Sequence, residues 1–298
     1  MDNTRGSVLM VLAMLGFAFE DMFIKMMSGA LHVGQILIML GGGGAIIFAV
    51  ITKAYGDRLW SRDLRHPAVI LRNAGEIIGT LGFVTAIALT PISSASAILQ
   101  ATPLVVTIGA ALFLGETVGW RRWLAVSIGL GGVLLIIRPG LDGFEPKSLF
   151  AVQGVIGLAI RDLATRRIPA TITSRQVSTY AFAVLVPTGF ILLWLGGPDA
   201  VLVVPDPVNM LRAAAAVVIG VIAYYTLVAA TRIGDISVIA PFRYSRIVFA
   251  LFVGVVVFGE SPDALTLLGA AIIVSSGIYT LLREARLRRA SLRSQPAL

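Results

Sequence analysis

The chain of 298 residues is 57% hydrophobic and 13% charged, with a formal net charge of +8 and a mean hydropathy of +0.90. Soluble domains carry about a quarter charged residues, so this composition excludes a water-soluble fold, which could not bury so much apolar surface. Cysteine is absent, which removes disulfides and thiolate metal sites.

Apolar runs long enough to cross a hydrocarbon core, about 20 residues, recur from end to end. The first, 7–28, follows Arg5 and is interrupted by Glu20, Asp21 and Lys25, so it reads as an uncleaved helix. Nine more follow, at 32–52, 68–89, 92–114, 121–138, 148–166, 176–195, 209–230, 236–258 and 264–282. The longest breaks, 53–67 and 196–208, are too short for a soluble domain. Spanning segments must satisfy their own backbone in lipid, and these runs lack the alternation of barrel strands, so all are helices. A basic tail at 283–298 closes the chain as a juxtamembrane anchor.

The first half recurs in the second. At a shift of 141, Ser7 meets Ser148, Gly16 meets Gly157, Asp21 meets Asp162, Lys25 meets Arg166, Gln35 meets Gln176 and Gly79 meets Gly220. Further on the shift becomes 144, and Gly115-Glu116 returns as Gly259-Glu260. A unit with five crossings must start its second copy from the opposite side, so the halves, 7–140 and 148–282, are inverted. The expected fold class is therefore all-α integral membrane, with ten transmembrane helices as two inverted five-helix repeats.

Lys and Arg alternate with the breaks as the positive-inside rule requires. Taking the N-terminus as cytoplasmic, inward segments hold 17 of the 24 cations, among them Lys53, Arg58, Arg62, Arg65, Arg121, Arg122 and Arg175, whereas outward loops hold Arg138 and Lys147. This distribution accounts for the basic charge without nucleic acid. It places both termini in the cytoplasm of a cell with an inner membrane.

Several motifs carry a family resemblance. They are Ala88 to Leu99 (Ala-Leu-Thr-Pro-Ile-Ser-Ser-Ala-Ser-Ala-Ile-Leu), Pro103, Leu114-Gly-Glu116, Trp120-Arg-Arg-Trp123 and Gly131 to Gly140. In the second half Gly234-Asp-Ile-Ser-Val-Ile-Ala-Pro-Phe-Arg-Tyr-Ser245, Arg246 and Phe258-Gly-Glu260 match them. Together they resemble the EamA-type transporters of the drug/metabolite transporter superfamily, over nearly the whole chain. Residues 240–246 look most like the group that contains S-adenosylmethionine and riboflavin carriers. The resemblance implies a secondary transporter and makes the Gly-Glu pairs a scaffold feature.

Ionisable groups at membrane depth persist where they face a cavity or a partner. Asp21 and Lys25, Arg72 and Glu76, and Asp162 and Arg166 are each four apart and can pair along one helix. Arg243 and Arg246 flank Tyr244 with no acid nearby in sequence, so they call for an anion from Glu20, Asp21, Glu76 or the substrate. The expected substrate-binding set is Arg243, Arg246, Tyr244, Gln100, Glu76, Arg72, Tyr224 and Tyr225, and the expected coupling set is Asp21, Asp162 and Glu20. Gln35 and Gln176 complete the pocket, while Tyr180 and Tyr279 suit the interfacial belt. Pro103, Pro187 and Pro241 fall inside spans, where they free backbone groups to kink a helix or line a cavity.

The function expected is a secondary active transporter of a small polar or amphipathic metabolite, such as an amino acid, S-adenosylmethionine or riboflavin, working by alternating access. Its partners are a substrate molecule, the bilayer and a coupling proton, with no cofactor, in a monomer or homodimer. The alternative is a membrane-embedded enzyme acting on a lipid-linked substrate. Such an enzyme would show an acid cluster, a His pair or an activated nucleophile, and His32 and His66 fall in or beside loops. A channel would show a ringed filter.

Overall fold

The computed structural model describes residues 2–60, 62–116, 118–141, 144–197, 200–233 and 236–293. Helix α1 (Asn3–Met27) starts on Asp2, whose side chain accepts the Arg5 amide N–H at 3.0 Å. Helices α2 (Val33–Ala54) and α3 (Pro67–Leu89) start on His32 and His66, whose rings accept amides two residues on. The two histidines are therefore helix caps. The fourth crossing is divided into α4 (Ile92–Leu99) and α5 (Thr102–Phe113), and α6 (Trp120–Ile137) ends the first half.

The second half opens with α7 (Leu149–Thr165), then a crossing divided into α8 (Ser174–Ala183) and α9 (Leu185–Leu195), then α10 (Pro207–Ile233). The ninth crossing starts as α11 (Ile236–Ile239), tightens into a 3-10 stretch, Ala240–Tyr244, and continues as α12 (Ser245–Phe258). Last comes α13 (Ala264–Arg293). Among the described residues, ten crossings are long and apolar enough to span a membrane, within a few residues of the expected runs. The first part of the basic tail continues α13; residues 294–298, and Gly234 and Asp235 of the second motif, lie outside the described residues.

The divided crossings contain the prolines. Pro103 has no amide hydrogen for the Leu99 carbonyl; the Thr102 hydroxyl donates to that oxygen instead, at 2.6 Å. Pro187 lies just past the α8–α9 division at Val184, and Pro241 is the second residue of the 3-10 stretch. The breaks of the fourth and ninth crossings, equivalent in the two repeats, touch each other: the Gln100 side chain donates to the Arg243 carbonyl at 3.2 Å.

The packing shows the inversion directly. α1 packs on α10 and α3 on α7, one contact seen from each copy in turn, while α2 packs on α8 and α9, α4 on α12, and α6 on α13. Every one of these pairs joins the two halves. The seams are lined by small residues, since apolar helices in lipid associate through close packing. A methyl group on Gly157 would fall on the Gly79 backbone, and one on Gly82 would fall on Gly154 and the Phe150 carbonyl. At the equivalent seam a methyl on Gly16 would meet Ala223.

Ten crossings leave both chain ends on one side of the bundle, the terminal face. On it lie the end of α5, the start of α6 and the ends of α7 and α13.

Gly157→Ala should therefore lower the thermal midpoint in detergent, at a cost of about 1–3 kcal/mol for overpacking. Gly131, which has nothing within 4 Å of its would-be methyl, is the control: Gly131→Ala should be neutral or up to about 1 kcal/mol stabilising. Equal midpoints for Gly157→Ala and the wild type would show that the α3–α7 seam is slack.

Candidate functional site

Residues 17, 20, 21 and 24 share the face of α1 turned toward α10 and α12. Asp21 is 2% exposed and takes both prongs of the Arg246 guanidinium, with Nη2 at 3.0 and 2.7 Å and Nε at 3.2 Å. Arg246 reaches it from the first turn of α12, immediately after the 3-10 stretch. Its guanidinium also lies 5.3 Å from the Phe17 ring and 5.2 Å from the Phe83 ring. A forked, charge-assisted pair flanked by aromatic faces is the arrangement in which a buried arginine is best tolerated.

A second ionic group lies where α3 meets α7. Glu76 accepts from Arg72 at 3.2 Å, from Arg161 at 3.5 Å and from the Thr80 hydroxyl at 3.1 Å. Arg161 also pairs with Asp162 at 2.8 Å. Two cations and two anions balance here. Glu76, Thr80 and Phe83 are spaced four and three apart, so one face of α3 runs from this group to the Arg246 site. Seven residues of helix separate Glu76 from Phe83 by about 10 Å, the scale of a small metabolite.

Glu20 lies beside the Asp21–Arg246 pair. Its carboxylate rests against Gly220, where any side chain would displace it. It has no hydrogen-bond or ion-pair partner among the described residues and is only partly covered. Tyr224, from α10, is edge-on to Phe48 at 5.5 Å and within electrostatic reach of Arg161.

The structure thus places Asp21 and Glu20 on α1, Arg72 and Glu76 on α3, Asp162 on α7, Tyr224 on α10 and Arg246 on α12. It places other expected residues elsewhere. Arg243 is exposed, makes no ion pair with a described residue, and offers Gln100 its main-chain oxygen. Tyr244 is buried against Gly277, its hydroxyl without a hydrogen bond. Tyr225 is 66% exposed in an outward stripe with Val218 and Ile222, the side of α10 turned away from α1. Gln35 and Gln176 bind the opposite half's loops, through Val203 at 2.7 Å and Arg58 at 2.6 Å. Tyr180 donates to the Leu59 carbonyl beside Trp60.

The in-helix pairing expected from spacing forms at Arg72–Glu76. The other two acids find different partners, Arg246 for Asp21 and Arg161 for Asp162, which releases Lys25 and Arg166. These two bind the repeated glutamates. Gly259 turns α12 off at φ 64°, the left-handed region that favours glycine. Glu260 then caps α4, accepting the Ile92 and Ser93 amides at 2.6 and 3.0 Å and the Ser93 hydroxyl at 2.6 Å. Lys25 lies 3.6 Å from Glu260 and donates to the Thr90 carbonyl at 2.6 Å. In the inverted copy Arg166 pairs with Glu116 at 2.8 Å, but with side chains 47% and 38% exposed against 17% and 10% for Lys25 and Glu260. The carboxylate of Glu260 nests over Gly254; the equivalent residue of the first copy is Ala110.

Sequence reasoning passed over Phe17, Phe83, Phe48 and Thr80. Phe17 and Thr80 stand one turn from Asp21 and Glu76, the signal that could have found them.

At the terminal face Asp57 is held below the ordinary carboxylate range by Arg175 and then by the Thr173 hydroxyl. A depressed folded pKa means that its stabilising contribution is complete above the unfolded value, about 3.9, and is lost as pH falls through the folded value. Asp57→Asn should remove that acid-side loss from the pH–stability curve. Asp21→Asn and Arg246→Gln should each cost about 3–5 kcal/mol, as expected when one partner of a buried pair is removed. A double-mutant cycle by thermal unfolding should be strongly non-additive; additive effects would mean that the pair is not coupled.

A family model described as the EamA-like transporter family matches residues 4–138 and again 146–282. The S-adenosylmethionine uptake transporter of Rickettsia bellii (strain RML369-C) is 23% identical over 93% of this chain and 93% of its own. The riboflavin transporter of Vibrio cholerae serotype O1 is 27% identical over 96% and 95%. A solved crystal structure of a protein 20% identical to this one superposes with a TM-score of 0.60 over 91% of this chain and 97% of that one.

Proposed function

This chain belongs to the EamA-like transporter family, and from its geometry we propose a secondary carrier that moves a small organic metabolite with a cationic group through the crevice between its halves. The observation that carries this reading is Glu20. The Asp21–Arg246 pair and the Arg72–Glu76–Arg161–Asp162 group are each balanced, so Glu20 is left, among the described residues, as an acid without an ion-pair partner of its own. It takes either a proton or the cationic group of a solute, and competition between them couples the two. The aromatic faces of Phe17, Phe83 and Tyr224 supply apolar wall, as small-molecule sites require. The names of the relatives make S-adenosylmethionine and riboflavin the first solutes to try.

In this reading the terminal face is cytoplasmic, as the placement of Arg121, Arg122, Arg166, Arg167 and Arg175 requires, and the membrane is the inner one. The Lys25–Glu260–α4 network closes the outer side, whereas its inverted counterpart, Arg166–Glu116, is loose. Alternating access breaks the first network and tightens the second.

In liposomes, counterflow of labelled S-adenosylmethionine, riboflavin and amino acids should identify the solute. Glu20→Gln should lower the initial rate at neutral pH tenfold or more and flatten its pH dependence. Tyr225→Phe, on the outward stripe, should transport normally. A Glu20→Gln carrier with wild-type rate and pH profile would end the proposal.

A further inference from the structure

We propose that the groove between α6 and α13 binds one anionic phospholipid, its headgroup at the terminal face and an acyl chain along the groove. The two helices touch backbone to backbone where Gly132 meets Gly269, each glycine lacking room for a methyl group against the other's carbonyl. Between that crossing and the terminal face the two helices border a cavity of about 610 Å³ that opens sideways.

The body of the cavity is apolar, with Leu124, Ala125 and Ile128 on one wall and Ala271 and Ile272 on the other. Its mouth is not. Trp120, Arg121 and Tyr279 stand there, with the Arg121 guanidinium 5.3 Å from the Trp120 ring. Aromatic rings of this kind favour the headgroup level of a bilayer. On α6 the lining residues 121, 124, 125 and 128 form one helical stripe, and on α13 so do 272, 275, 276 and 279. Continued by one and then a further turn, the α13 stripe reaches Arg283 and Arg286. Cations from two helices thus stand at one end of an apolar channel, where Glu116 is already paired with Arg166. Charge at the mouth selects a phosphate-bearing anionic headgroup, and the lateral opening at membrane depth admits an acyl chain. Basic pockets between transmembrane helices take anionic lipid headgroups for the same reason.

The test is native mass spectrometry of the full chain in mild detergent, with phosphatidylglycerol and phosphatidylcholine of equal chain length added at equal amounts. The wild type should retain phosphatidylglycerol several-fold more than phosphatidylcholine. The double variant Arg121→Gln/Arg283→Gln should lose that preference, Arg121→Lys/Arg283→Lys should keep it, and Ala125→Trp, which fills the channel, should lose both lipids. Equal retention of the two lipids by the wild type would overturn the proposal whether or not any variant folds. So would an unchanged preference in the glutamine variant, or a lipid-free dimer cross-linked through Ile128→Cys, which would assign the groove to a second copy. Transport plays no part in the readout, so the result is independent of the solute carried.

Discussion

Lipid gives apolar helices no reason to prefer one another, so the bundle depends on how closely its backbones can approach. The α3–α7 seam meets that requirement with Gly75, Gly79 and Gly82 against Gly154 and Gly157, and the α1–α10 seam meets it with Gly16 and Gly220. These are the same seam, generated twice by inversion, and each crosses from one half to the other. The core therefore belongs to neither half: Ile24, Phe83, Ile98, Val155 and Ile247 fall in a single buried cluster. Breaking the fourth and ninth crossings is tolerable because backbone oxygens at the breaks find nearby donors, Thr102 for Leu99 and Gln100 for Arg243.

Charge follows the same geometry. Close helix approach brings Asp21 within reach of Arg246 and Glu76 within reach of Arg161, although those partners are far apart in sequence. Once the pairs are made, the residual electrostatics are local: an acid at Glu20 against Gly220 and an exposed cation at Arg243. Lys25 and Arg166, freed from in-helix pairing, tie the repeated glutamates to the neighbouring half, one at each end of the molecule. The Gly-Glu motif is thereby a device of assembly. Its glycine turns the chain, and in the second copy its carboxylate caps a helix that begins on proline and has no side-chain cap of its own.

Most of the fold was legible because membrane spans are written in length and hydropathy, and because an acid, an amide and a cation in register expose a duplication even in apolar sequence. The three divided crossings could be anticipated from Pro103, Pro187 and Pro241. The site was legible only as a list of residues. No spacing rule tells that Asp21 meets Arg246 rather than Lys25, since the choice is made by the rotation of α12 after its 3-10 stretch. Gln35 and Gln176 were correctly seen as equivalent, yet depth in the membrane decides their role, and the loops they bind lie more than a hundred residues away. Tyr224 and Tyr225 are neighbours in sequence on different sides of α10, a distinction that follows from which flank of the helix is covered.

A single methyl group distinguishes the two copies beside the repeated glutamate: Gly254 leaves the space that the Glu260 carboxylate fills, and the equivalent Ala110 carries a methyl group. In a perfectly twofold machine the two conformations related by the symmetry would be equally populated. A difference of about 1 kcal/mol between them, well within what one methyl contributes, weights one state over the other about fivefold. After duplication, polarity of this kind needs no new domain or signal, only one small residue changed in one copy.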